Sequence, residues 1–98
     1  ISLFDTAHGP MALVLVGAML VSSMETVWSG QVTPPRGRKV SRGDWSRRGI
    51  TLQRGQEMGR FNMGSTVILL LPPGAVSALE ELGPGDVVLM GQKLGRLR

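Results

Sequence analysis

The chain has 98 residues, 42% of them hydrophobic, with eleven Lys and Arg against seven Asp and Glu and a formal charge of +4. That length suits one domain that buries roughly 60–65% of the surface its open chain exposes, and the composition excludes a disordered polyelectrolyte. With no cysteine and one histidine, disulfides, thiolate zinc sites and His-rich metal centres are excluded, and no metal is expected.

In chain order, His8 comes first among reactive side chains, in "DTAHGPM" beside a Gly-Pro turn, where a loop or edge position is predicted. The apolar run Met11 to Val21 is too short to span a bilayer and contains Gly17. No basic-apolar-small signal pattern is present, so membrane contact by this chain is expected to be peripheral. From 11 to 27, Val, Leu and Met alternate with small residues without a sustained helical stripe. Two buried strands near 11–18 and 20–28 are predicted, bent at the small residues.

Pro34-Pro35 and four glycines make "SGQVTPPRGRKVSRGDWSRRG" a loop with room for a short strand or two. Eight of the eleven cations fall between Arg36 and Arg60, opposed there by Asp44 and Glu57. Basic stretches attract phosphate, in nucleic acid or in anionic lipid headgroups. The competing reading is a solvated loop. Extended structure resumes at Ile50 to Gln53, and Thr66 to Leu71 reads as a buried strand stopped by Pro72-Pro73-Gly74. Ala75 to Leu82 suits one or two helical turns, with Glu80 and Glu81 on a solvated face, before "GPGDVVLMGQKLGRLR".

One internal echo bears on the fold. "RGQEMGRF" (Arg54 to Phe61) and "MGQKLGRL" (Met90 to Leu97) share Gly-Gln-charged-apolar-Gly-Arg-apolar at a separation of thirty-six residues. Each glycine pair suits a tight turn into a strand. Two copies fall short of a solenoid but suggest two similar half-sheets packed face to face. An all-β fold is expected: a small β-sandwich or barrel-sandwich-like domain with at most one or two short helical turns. "GDVVLMGQKLG" resembles the segments that mark such halves in biotinyl- and lipoyl-type domains, but no lysine stands where a carrier domain needs one at its hairpin tip.

Conventional catalysts are scarce. A Ser-His-Asp hydrolase requires His8 to reach a serine with an aspartate behind it, and nothing in the spacing points to that. No lysine follows a glycine at phosphate-loop spacing, and Trp28 and Trp45 with little aromatic interleaving are thin support for base stacking. There remains "GRFNMGSTVILLL" (Gly59 to Leu71). The Ser65 hydroxyl is one bond rotation from the carbonyl of Gly64. If a base takes its proton, the oxygen attacks and the amide becomes an ester. Glycine on the acyl side leaves that carbonyl open and tolerates unusual backbone angles. β-Elimination then cuts the chain and leaves dehydroalanine, which hydrolyses to a pyruvoyl group. The plain alternative is an ordinary strand start.

The surroundings distinguish the two. "LFDTAHGPMALVLVGAMLVSSMETVWSGQVTPP", "RGQEMGRFNMGSTVILL", "PPG" and "GQKLG" follow one another as in the C-terminal part of bacterial phosphatidylserine decarboxylase proenzymes, which the chain resembles over nearly its whole length. The resemblance implies self-cleavage at Gly64-Ser65, with residues 1–64 ending a β-subunit and 65–98 forming an α-subunit headed by the pyruvoyl cofactor made from Ser65. It further implies that this ketone forms a Schiff base with the amine of phosphatidylserine, so that decarboxylation yields phosphatidylethanolamine. The expected partners are that lipid, an anionic membrane surface and the upstream β-subunit segment, in a homo-oligomer peripheral to the cytoplasmic face of the bacterial membrane, without nucleic acid. Phe61 and Met63 are candidate substrate-lining residues; simple packing is the competing reading.

The departures are "VSS" at Val21 to Ser23 for a more usual Val-Gly-Ser, and Arg54 where lysine is common. The family's maturation base, a histidine oriented by an aspartate, lies upstream of the matched region, and His8 does not correspond to it. Loss of general-base assistance costs roughly 10²–10⁴-fold, so these 98 residues are expected to process slowly or not at all by themselves. The alternative function is a non-catalytic β-sandwich binding module whose basic loop takes nucleic acid or anionic lipid.

Overall fold

The structure, a computed structural model, describes residues 1–17, 23–33, 39–64, 66–79 and 81–98. Among these residues every regular element except a 3-10 turn at Ser46–Arg48 is a strand, as expected for an all-β chain. The strands are β1 (Ser2–Thr6), β2 (Gly9–Val16), β3 (Met24–Thr26), β4 (Gly30–Thr33), β5 (Gly59–Phe61), β6 (Thr66–Leu70), β7 (Val76–Leu79) and β8 (Gly95–Leu97). They form three small sheets, ordered β1-β2-β6, β4-β3-β5 and β7-β8. The chain divides into two compact units, one of Ile1–Val14 with Val67–Arg98 and one of Leu15–Thr66.

In the first unit β1 and β2 form a hairpin with Thr6 opposite Gly9. Thr6 Oγ1 accepts the His8 N–H at 3.1 Å and donates to the Gly9 carbonyl at 2.6 Å, so the threonine closes the tip that carries Ala7 and His8. Gly9 has φ +102°, a conformation that side chains with a Cβ avoid.

The other sheet of this unit corrects an expectation. Residues 76–79 are strand β7, paired antiparallel with β8, and not helical turns. The physical reason is length. Between the turn at Pro72-Pro73-Gly74 and the Gly83-Pro84-Gly85 turn, a helix makes too few i to i−4 bonds to offset its nucleation. Pairing with β8 satisfies the same backbone groups at once. The Ala75 carbonyl accepts the Arg98 N–H at 2.9 Å, and Ser77 Oγ donates to the Arg96 carbonyl at 3.2 Å. Ala75 itself is buried.

The internal echo is a repeated piece of structure. In the first copy the Gln56 N–H reaches the Gln53 carbonyl at 3.0 Å, and the Gln56 side-chain oxygen accepts the Gln53 N–H at 2.9 Å. In the second, Gln92 does the same to Leu89 at 3.0 and 2.9 Å. Gly55 at φ +78° and Gly91 at φ +81° occupy the third position, the pattern of a type II turn. Each turn leads into a three-residue strand, β5 or β8. The Gly-Gln pair is thus a turn with its own side-chain clip.

In the second unit β3 is central, paired with β4 through the Val27–Ser29 loop and with β5 on its other side. The two strands expected near 11–18 and 20–28 correspond to β2 and to shorter β3, with residues 18–22 outside the described ones. Ile50 to Gln53 is not a strand but the approach to the first Gly-Gln turn. Strand β6 forms where expected, but it is not buried. Val67, Ile68, Leu69 and Leu70 are 44–54% exposed. Apolar composition reports that a strand can be buried; whether it is depends on a covering layer, and the described residues do not supply one.

Replacing Gly55 or Gly91 by alanine is expected to cost about 1–2 kcal/mol each, because each requires a left-handed backbone. Urea denaturation of the two variants in the full-length protein checks both the size and the equality of the losses.

Candidate functional site

The segment ahead of the Gly-Ser step is held from both ends. β5 pairs with β3 in the register Met24–Phe61, Glu25–Arg60, Thr26–Gly59. One further bond extends the ladder at each end, from Val27 N–H to the Met58 carbonyl and from Asn62 N–H to the Ser23 carbonyl, both 2.9 Å. The Asn62 side-chain amide also donates to Ser23 Oγ. Ser23 is buried, at 9% exposure, so its hydroxyl depends on that partner to offset desolvation.

Gly59 lets the two strands approach. A Cβ built there runs into the Glu25 backbone carbonyl and lies 3.1 Å from Thr26 Cα. Because the obstruction is backbone, no rotamer change relieves it. Arg60, opposite Glu25, joins Glu25 at 3.2 Å and Glu57 at 2.8 Å. All three side chains are more than a third exposed, so the pairs add on the order of 0–1 kcal/mol each and mainly orient the turn.

Beyond Asn62 the described residues add no further bond to this ladder. Met63 is 52% exposed. Gly64 is exposed, and a Cβ there meets nothing within 4 Å. Thr66 then opens β6. The peptide that precedes Ser65 therefore follows a tethered strand by two residues and has no neighbouring bulk on its acyl side. Ser65 itself, the expected nucleophile and pyruvoyl precursor, lies outside the described residues. Of the two candidate lining residues, Phe61 is half-buried at the end of β5 opposite Met24, and Met63 faces solvent. His8 is at the exposed tip of the β1–β2 hairpin. No group of three or more His, Asp or Glu side chains converges among the described residues.

Sequence reading missed the Ser23–Asn62 clasp. The partners are 39 residues apart, and neither belongs to a pattern that announces a contact. The nearest signal was the Val21-Ser22-Ser23 segment already noted as a departure.

The basic loop has a local structure of its own from Asp44 to Arg48. Asp44 Oδ1 accepts the Ser46 N–H at 2.9 Å and the Ser46 hydroxyl at 2.6 Å. Arg48 N–H closes the 3-10 turn on the Trp45 carbonyl at 3.1 Å, and the Arg48 guanidinium lies 4.8 Å from the centre of the indole ring. The Ser46 hydroxyl, followed by its N–H, holds the Asp44 carboxyl below its ordinary value.

The described residues thus give an all-β chain in which Gly64 is exposed and follows the strand held by β3. Comparison with known proteins identifies the family. The family profile described as phosphatidylserine decarboxylase matches residues 1–96, and the chain belongs to that family. It is 56% identical over 95 residues to the phosphatidylserine decarboxylase proenzyme of Methylococcus capsulatus, covering 97% of this chain and 33% of that protein. The proenzyme of Stutzerimonas stutzeri is 58% identical over 98 residues, 98% of this chain and 33% of the relative. That of Photobacterium profundum is 51% identical over 100 aligned positions, 99% and 34% respectively. The chain thus spans about a third of the length of these curated relatives. No solved structure matches it.

Three outcomes test this geometry. Gly59→Ala is expected to destabilise the full-length protein by about 3 kcal/mol or more, the upper end of overpacking costs, since backbone must move. Asn62→Ala is expected to cost about 1–3 kcal/mol by stranding the Ser23 hydroxyl; both are read by chemical denaturation. For Asp44 the sign follows from a depressed folded-state pKa: its clip on Ser46 is intact at neutral pH and lost as pH falls through that lowered value. An NMR titration of the Asp44 carboxyl should show the depression, and Ser46→Ala should raise the pKa towards the ordinary value.

Proposed function

We propose that the polypeptide carrying this chain is a pyruvoyl-dependent decarboxylase that converts phosphatidylserine to phosphatidylethanolamine and cuts itself between Gly64 and Ser65. The observation that carries this reading is the family match over residues 1–96 together with the exposed Gly64 peptide that follows the β3–β5 tether. In the self-cleavage, Ser65 Oγ loses its proton to a base and attacks the Gly64 carbonyl carbon. The C–N bond breaks and the amine is released on residue 65, leaving an ester. Loss of the Cα proton and breakage of the Cβ–Oγ bond frees Gly64 as a carboxylate and leaves dehydroalanine. Its imine tautomer takes up water and releases ammonia.

The residues at the step fit this product. Ser65 supplies the three carbons, Gly64 places no Cβ beside the carbonyl to be attacked, and β6 gives the new terminus a strand to belong to. When formed, the pyruvoyl group supplies an electron sink for loss of carbon dioxide from a bound amino acid headgroup. The chain's own residues hold and present that position. Asn62 and Gly59 fix the preceding strand, and Phe61 and Met63 are the nearest apolar side chains on the N-terminal side of the scissile peptide. The base belongs to polypeptide outside these 98 residues. A phospholipid substrate calls for contact with a membrane surface, and peripheral attachment at the cytoplasmic face is part of the proposal. No helix among the described residues is long and apolar enough to cross a bilayer.

Intact mass of the full-length protein tests the reading. Two chains are expected, divided at Gly64/Ser65, the second with an N-terminal ketone. Ser65→Ala is expected to leave one uncut chain with no decarboxylation of phosphatidylserine. An uncut wild-type protein that still decarboxylates the lipid would overturn the proposal.

A further inference from the structure

The loop between β4 and β5 of the second unit carries an arrangement that self-cleavage does not use. Lys39, Arg42, Arg47, Arg48 and Arg54 are exposed, and no ion pair among the described residues engages them. The pairs found there are those of Arg60 with Glu25 and Glu57. The one carboxylate within the cluster, Asp44, is turned onto Ser46 and clips the 3-10 turn. Beside these charges stand apolar side chains in water, Val40 at 94% and Ile50 at 42% exposure. Trp45 is half-buried, with the Arg48 guanidinium stacked on its ring, and Gly43 leaves room for the indole, since a Cβ there lies 2.8 Å from Trp45 Nε1.

Exposed aliphatics also occur elsewhere among the described residues, but a merely solvated loop needs no ordered indole beside its cations. A nucleic-acid surface calls for aromatics presented to bases, whereas this ring's face carries an arginine. Cations interspersed with exposed Val and Ile around an amphipathic Trp match the interface of an anionic bilayer. There phosphates meet the cations, and the indole sits at headgroup level. We propose that residues 39–54, organised by the Asp44–Ser46 clip and the Trp45–Arg48 stack, dock on anionic phospholipid headgroups and hold the enzyme against its membrane. The proposal rests on the reading above only in that the substrate is a membrane lipid. What it adds is the surface that faces the bilayer, and that this surface is preorganised rather than a diffuse basic tail.

Co-sedimentation of the full-length protein with phosphatidylcholine vesicles containing phosphatidylglycerol tests it, alongside turnover of phosphatidylserine dispersed in detergent. Arg47→Gln/Arg48→Gln is expected to weaken vesicle partition by on the order of fivefold per charge, roughly 25-fold together, in low salt. Ser46→Ala, which changes no charge, is expected to weaken it several-fold through loss of the clip. Both variants should keep wild-type turnover in detergent, which also shows that they fold. Partition of the arginine variant equal to wild type overturns the proposal. So does wild-type partition that ignores phosphatidylglycerol content, or a wild type that binds RNA and no vesicles. Absence of turnover by a wild-type protein whose partition responds as stated counts against the decarboxylase reading and leaves the docking surface standing.

Discussion

The closeness of β3 and β5 is the constraint on which the candidate site depends. Two short strands of three residues each hold little by themselves. Their ladder is extended by Val27–Met58 and Ser23–Asn62 bonds and drawn tight because position 59 has no Cβ. The energetics are asymmetric. Making the Ser23–Asn62 contact gains little over bonding to water, but leaving a buried hydroxyl without it is expensive. The strand before Gly64 is therefore positioned by penalties against the alternatives more than by any strong attraction.

That tether ends two residues short of the proposed cleavage site, and the change suits the proposed chemistry. Met63 and Gly64 are exposed and unencumbered, so the chain goes from a held strand to an open peptide within two steps. A peptide inside a ladder has its carbonyl engaged and its φ and ψ set. One just outside it, with glycine on the acyl side, can turn its carbonyl towards an incoming hydroxyl. Fixing the approach while leaving the reacting bond free suits an intramolecular attack better than rigidity throughout.

The second unit uses its charges in two ways along the chain. Acidic partners are spent where geometry matters: Glu25 and Glu57 on Arg60, and Asp44 on Ser46. Lys39, Arg42, Arg47, Arg48 and Arg54 are exposed, and among the described residues no carboxylate pairs with them. Because Asp44 is turned inwards onto its own turn, the one negative charge in the cluster reinforces the loop's shape more than it neutralises its neighbours.

Much of this was legible in the residues. The Gly-Gln echo announced two equivalent turns because a glycine at the third position of a type II turn and a clipping glutamine are local requirements, satisfied within four residues. The Gly-Ser-Thr step and its flanking blocks marked the family because they are contiguous in the sequence, as the proposed attack of one residue on its neighbour requires. What sequence could not decide was whatever needs a second segment. Val76 to Leu79 became a strand because β8 was there to pair with it, and β6 is exposed because burial belongs to the layer that covers a strand. Ser23 and Asn62 met because β3 and β5 brought them together across 39 residues. Local bonding is encoded in order along the chain; proximity between distant residues is created only when the chain folds, and it holds the site in place.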